Sequence, residues 1–294
     1  MKEIVLSLCE GPHDVAFIYR TLRSRGYTHF NKRLEEYPFP IGDFFKKEAH
    51  KENLEQLTLE ELRQGLLPST AMACDESLVL LYALGGDTRK SQRKRLIQTI
   101  HSFSSDGCDS KEFTFGYGTS YKVLYFYDAD KKGVEARLKE ISKEISDIFG
   151  PDSLPISTNG ICRTYGSITI GAYIFAGEDG KGTLENILLP LMKCENEDIF
   201  NAAEIYINNH HDPTRMSRLK IEMRADGSPE EKRETKKGKF DRSKSLIGIV
   251  GQLQNPGATN QVTIQHSDYL TLKKIQDSNI CNDILNMFGS YRPQ

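Results

Sequence analysis

Short, uniformly apolar runs alternate along the chain with longer stretches whose apolar residues recur every three or four positions. IVLSLCE (4–10), SLVLLYALGG (77–86), YKVLYFYDAD (121–130) and SITIGAYIFAG (167–177) predict strands of the kind buried on both faces. DVAFIYRTLRSRG (14–26), RKSQRKRLIQTIHSF (89–103), VEARLKEISKEISDIF (134–149) and TLENILLPLM (183–192) carry the helical period, with Gly26 and the GPDS after residue 149 as stop signals. Strand and helix in regular succession predict an α/β fold, a parallel sheet flanked by helices.

Residues 1–192 form this expected core. Within it, residues 28–75 break the alternation: they are charged, include the Pro-rich YPFPIG, and carry a helical pattern in LTLEELRQGLL. They predict a helical insertion packed on the core. Residues 193–294 predict a C-terminal extension that completes the core through SLIGIVGQLQNPG and a last helix near NDILNMF. Between them RADGSPEEKRETKKGKFD (224–241) is polar throughout and predicts a charged, mobile loop.

Composition narrows the class. In 294 residues, 38% hydrophobic content supplies a sizeable core. No apolar run reaches the roughly 18 residues of a membrane span, and a strand begins within four residues of the start, so neither a span nor a secretory leader is expected and the cytoplasm is the expected compartment. Six scattered cysteines without a C-x-x-C pair argue against a zinc site or a disulfide scaffold. A net charge of −2 gives no general attraction to nucleic acid. Two local clusters do carry positive charge: Arg89, Lys90, Arg93, Lys94 and Arg95, and then Lys232, Arg233, Lys236, Lys237, Lys239, Arg242 and Lys244. Each reads equally as a solvated face or as phosphate contacts.

The chemistry sits at strand ends. YFYDAD finishes an apolar strand with Asp128 and Asp130, and CEGPHD finishes the first strand with Glu10, a turn glycine, and Asp14 in the first helical turn. An isolated D-x-D is more readily an acidic turn or a helix cap than a cation site. In parallel sheets, however, ligands collect at the carboxyl ends of strands. If strands 4–10 and 121–128 are neighbours, the four carboxylates surround one point, where their repulsion calls for a counter-ion. Hard oxygen ligands suit Mg²⁺ or Mn²⁺.

EGPHD after the first strand, DAD after a later one and LYALGGD between them resemble the motifs of the TOPRIM domain, which topoisomerases, DnaG-type primases, RecR-type recombination proteins and OLD-family nucleases share. AGEDGKGTLENILL (176–189) is similar to the acidic, Gly-rich segment of stand-alone OLD-like TOPRIM proteins, and DRSKSLIGIV resembles the late segment that bears their assisting lysine. The resemblance implies metal-dependent hydrolysis of phosphodiester bonds in DNA or RNA. Its metal ligands would be Glu10, Asp14, Asp128 and Asp130, with Glu178, Asp179 and Glu185 supplying a second ion site, and Glu10, Asp128 and Lys244 would carry catalysis. The basic clusters would track the nucleic-acid backbone. Since G-x-x-x-x-G-K-[ST] is absent, any ATPase would be a separate protein, as in a phage-defence or toxin-like pair, and self-association into a homo-oligomer is a further expectation. A primase-like nucleotidyl transferase and a non-catalytic, cation-stabilised binding module stay open as alternatives.

Overall fold

The computed structural model describes residues 1–49, 66–86, 89–104, 118–237 and 239–289. Its centre is β1 (Glu3–Cys9), whose Ile4, Val5, Leu6, Leu8 and Cys9 have no exposed surface. α1 (Pro12–Arg23) follows at once, with Pro12 in the first turn, where its missing N–H costs nothing. The chain then lays down β2 (Thr28–His29), α2 (Ile41–Ala49), β3 (Thr70–Cys74), β4 (Ser77–Ala83), α3 (Lys90–Phe103), β5 (Ser120–Asp128) and α4 (Val134–Phe149). β6 (Cys162–Tyr165), β7 (Ile168–Phe175), α5 (Leu184–Lys193) and α6 (Glu197–His210) come next. β8 (Ser217–Met223), β9 (Pro229–Lys237), α7 (Arg242–Gln254), α8 (Asn260–His266), α9 (Leu272–Asp277) and α10 (Asn279–Met287) end the described chain.

Seven strands form one sheet in the order β2-β3-β4-β1-β5-β7-β6. The four inner strands are parallel, as the alternating pattern predicts, while β2, β3 and β6 extend the edges antiparallel. Successive side chains of a strand face opposite sides, so β1 feeds two cores. Val5 and Cys9 pack with α1, α5, α6, α7 and α10, whereas Ile4, Leu6 and Leu8 pack with α2, α3 and α4. The protein is thus a three-layer α/β structure. Among the described residues no helix is long and apolar enough to cross a membrane.

Two expectations change. Segment 28–75 is more than a helical insertion, because Thr28–His29 and Thr70–Cys74 join the central sheet through β3, paired with β4. The helix expected over LTLEELRQGLL falls largely outside the described residues. Segment 224–241 is not a loop: Pro229–Lys237 pairs with Ser217–Met223 in a two-stranded hairpin. Its turn is set by Asp226, which accepts from the Ser228 amide at 2.8 Å, and by Gly227 at φ +82°. Residues directly opposite carry like charges, Lys220 facing Lys232 and Glu222 facing Glu230, and the ion pairs run diagonally instead, Lys220 with Glu234 (2.5 Å), Arg224 with Glu230 (3.0 Å) and Lys232 with Glu222 (3.3 Å). Cross-strand pairs of opposite charge stabilise such a ribbon without a buried face.

Candidate active site

Register brings the acids together. Cys9 of β1 lies level with Ala83 of β4 and Phe126 of β5, so all three strands stop at one edge of the sheet. Glu10 leaves that edge with its amide donating to Phe126 O at 3.1 Å, while the Leu84 and Gly85 amides donate to Cys9 O at 3.0 and 2.8 Å. Gly85 presses directly on this turn: a Cβ there would stand 2.0 Å from Glu10 Cα. The absent side chain lets β4 end against Glu10.

Glu10, Asp14, Asp128, Glu185 and Lys244 line a single cavity of about 480 Å³, joined by His13 and by Thr259, Asn260 and Gln261 at the start of α8. Each carboxylate is held by a nearby donor. Glu10 Oε2 accepts from the Asp128 amide (3.1 Å), Asp14 Oδ2 from the Gly11 amide (2.6 Å) and Asp128 Oδ1 from the Leu184 amide (2.7 Å). Asp128 therefore ends β5 and also takes the first free amide of α5, whose N-cap is Thr183, at the end where the helix dipole favours negative charge. Glu185 accepts from Thr183 Oγ1 at 2.7 Å and meets His13 Nδ1 at 3.2 Å and Lys244 Nζ at 3.7 Å. Lys244 is set in the first turn of α7, whose cap is Asp241 accepting from the Lys244 amide at 3.0 Å.

The electrostatics divide the acids into two kinds. Burial, then the Asp128 charge, pushes Asp14 well above the usual carboxylate range. Burial and then Glu10 push Asp128 up to about 7 despite the Leu184 amide. Burial also acts upward on Glu185, but hydrogen bonds from His13 and Thr183 and the charge of Lys244 outweigh it and bring it down to about 2. Burial works against the Lys244 charge, yet Glu185, Asp241, Asp128 and Asp14 together raise its pKa. Glu185 and Lys244 thus form an ionised pair, while Glu10, Asp14 and Asp128 crowd together with no salt bridge to a cation among the described residues.

By donor type, an all-oxygen set of this charge suits a hard divalent cation such as Mg²⁺ or Mn²⁺. Among the described residues, no three His, Cys, Asp or Glu side chains stand close enough around one point to hold an ion as they lie. The amides of Asp128, Gly11 and Leu184 occupy one oxygen each of Glu10, Asp14 and Asp128.

Three expected ligands are elsewhere. Asp130 sits at φ +50° in a turn bridged to Gly182, and its carboxylate pairs with Arg137 Nη2 at 2.5 Å. Glu178 and Asp179 are exposed, and Asp179 accepts from the Lys181 amide at 3.0 Å to shape the loop before α5. The basic clusters are also mixed. Arg93 is buried, bidentate to Glu144 (3.0 and 2.9 Å) and donating to Leu84 O and Gly86 O (2.8 and 2.7 Å), so it is a structural arginine rather than a phosphate contact. Arg95 pairs with Glu48, Lys90 with Asp147 at 3.1 Å, and Arg89 donates to Ala83 O at 3.1 Å. Lys94 is half-buried, Lys239 is exposed, and Arg242 donates to Asn208 at 2.7 Å. Lys236 and Lys237 stand on β9, their side chains outside the described set. His13, whose place between Glu10 and Asp14 in EGPHD reads more readily as the filler of a turn than as a substrate contact, lines the cavity and reaches Glu185, and Asn260 carries no signal in the sequence.

No family model and no curated protein matches the chain. Among solved structures it is similar to a hypothetical protein from Pyrococcus horikoshii OT3, with a TM-score of 0.57 and 14% identity over 98% of this chain and 100% of that one. The likeness is one of fold.

Proposed function

We propose that this cavity is the active site of a metal-dependent nuclease that hydrolyses phosphodiester bonds in DNA or RNA. The observation that carries the reading is the meeting of Glu10, Asp14 and Asp128 with Glu185 and Lys244 in one cavity at the carboxyl edge of a parallel sheet. The resemblance of EGPHD and DAD to the TOPRIM motifs supports it. Glu10, Asp14 and Asp128 would hold a Mg²⁺ or Mn²⁺ ion, which when bound supplies an activated water and a Lewis acid for the departing oxygen. Glu185 serves as the anchor of Lys244 rather than as a ligand. Lys244, its side chain 47% exposed, presents its ammonium group to the phosphate, where it offsets developing negative charge. His13 keeps Glu185 oriented. A separate ATPase and a defence role belong to the same proposal, on the strength of the resemblance alone.

The test is cleavage of labelled single- and double-stranded DNA and of RNA with Mg²⁺, Mn²⁺ or EDTA, beside Glu10→Ala and Asp128→Ala. Metal-dependent cleavage lost in both variants is expected. Cleavage that survives both substitutions sinks the site. Metal-dependent stabilisation without cleavage favours the binding-module reading instead.

A further inference from the structure

The hairpin of β8 and β9 contributes no residue to either core. Among the described residues its strands pair only with each other, and Arg218 to Met223 are all exposed. A lone two-stranded ribbon is at best marginally stable in water, so this one gains from being covered. Its two faces differ. Lys220, Glu222, Lys232 and Glu230 share one face, which its diagonal ion pairs satisfy from within. The other carries Leu219, Ile221 and Met223 in a row, 50, 74 and 68% exposed, opposite Arg233, Glu231 and Pro229. Large apolar side chains this open, contiguous on one face and rimmed by charge, mark a contact surface.

The charges of the apolar face identify its cover. Glu231 and Arg233 make no ion pair among the described residues, and Arg233 reaches only Ser217 O, at 3.4 Å. They stand two residues apart on β9 and therefore on the same face, beside Ile221 and Leu219. This pattern is its own complement. A two-fold axis crossing the ribbon between the Leu219–Arg233 and Ile221–Glu231 rows sets Leu219 of each copy on Ile221 of the other, and Arg233 of each on Glu231 of the other. A nucleic-acid strand laid on the same face would meet the Glu231 carboxylate with phosphate and leave the apolar row uncovered.

We propose that the apolar face of this ribbon joins two copies of the chain, with Leu219, Ile221 and Met223 as the buried row and reciprocal Glu231–Arg233 pairs fixing the register. The inference is independent of the nuclease reading, because no residue of the acid cavity takes part in it.

Sedimentation velocity of the full chain over a concentration series tests this. A contact face this small predicts a dimer with a Kd on the order of 10 µM. Ile221→Asp, Glu231→Arg and Arg233→Glu should each weaken dimerisation at least about tenfold, the reversals by setting like charges together. All three positions are exposed, so the fold and its circular dichroism should not change. Glu231→Arg and Arg233→Glu, each monomeric alone, should pair when mixed, because each supplies the charge that the other lacks. Lys232→Ala, on the opposite face, is the control and should dimerise like the wild type. A wild-type chain still monomeric at roughly 100 µM, or a dimer indifferent to all three substitutions, overturns the proposal. Single reversals that stay apart when mixed overturn the Glu231–Arg233 contact. A monomer that instead binds an oligonucleotide, and binds it less tightly with Arg233→Glu, assigns the face to nucleic acid and overturns the second copy.

Discussion

Asp128 shows how one residue serves fold and site at once. Its Oδ1 accepts from the Leu184 amide at the start of α5, while burial and Glu10 raise it to about 7. Asparagine can still accept that hydrogen bond but removes the crowded charge. Asp128→Asn should therefore stabilise the metal-free protein at pH 8 by at most about 4 kcal/mol, if each pKa unit is worth about 1.4, and raise its melting temperature. It should also abolish cleavage. A lower melting temperature would show that the carboxylate is stabilising and that its neighbours do not crowd it. Gly85 makes the complementary case, since its open face receives the Glu10 backbone. Gly85→Ala has to push the end of β1 or β4 aside, with an expected loss of roughly 1–3 kcal/mol, and should weaken Mn²⁺ binding in calorimetry even though no carboxylate has changed.

At the scale of elements, Arg93 ties α3 to α4 through Glu144 and to the end of β4 through the carbonyls of Leu84 and Gly86. Removing one partner of a buried pair leaves the other charge stranded, at roughly 3–5 kcal/mol. Arg93→Ala should accordingly cut stability in urea by several kcal/mol, whereas Lys94→Ala in the same helix should change it by under about 0.5; equal effects would contradict the structural role. No feature of RKSQRKR distinguishes these two residues, because which face of α3 meets α4 is decided by tertiary packing. The inner strands were legible for the opposite reason, since burial on both faces writes an unbroken apolar run such as VLYFY. The hairpin was hidden by its surface: the side chains of Arg218 to Met223 are all exposed, so it shows charge where a core strand shows apolar residues. Its Asp226–Gly227 turn and the alternation of Leu219, Ile221 and Met223 were the signals present. The acids at strand ends could be read from the sequence, but their sorting could not. Asp130 turns towards Arg137 and Glu185 joins the cavity because of how β5, β7 and α5 are placed, which spacing alone does not encode.

For the whole molecule, the acid cavity links stability to pH. Asp128 titrates in the folded protein at about 7 against an ordinary 3.8, and Asp14 is raised as well, so between these values the folded chain holds more protons than the unfolded one. Stability of the metal-free protein must then fall as pH rises through that window. Glu185 acts in the opposite sense: held down to about 2 from an ordinary 4.5, it contributes stability that is present above 4.5 and lost as pH falls towards 2. In EDTA the melting temperature should therefore peak at about pH 4, where the gain from Glu185 gives way to the loss from Asp128 and Asp14, and decline towards pH 7. A divalent cation held as proposed should reverse the decline, because it would bind the folded state alone and compete with protons for Asp14 and Asp128; at a hundredfold excess over its Kd it would add about 2.7 kcal/mol. Melting curves in Mn²⁺ and in EDTA should thus diverge most at pH 8 and converge at pH 5, and the divergence should vanish in Asp14→Asn. Curves that stay parallel across pH would mean that the cation binds away from these carboxylates.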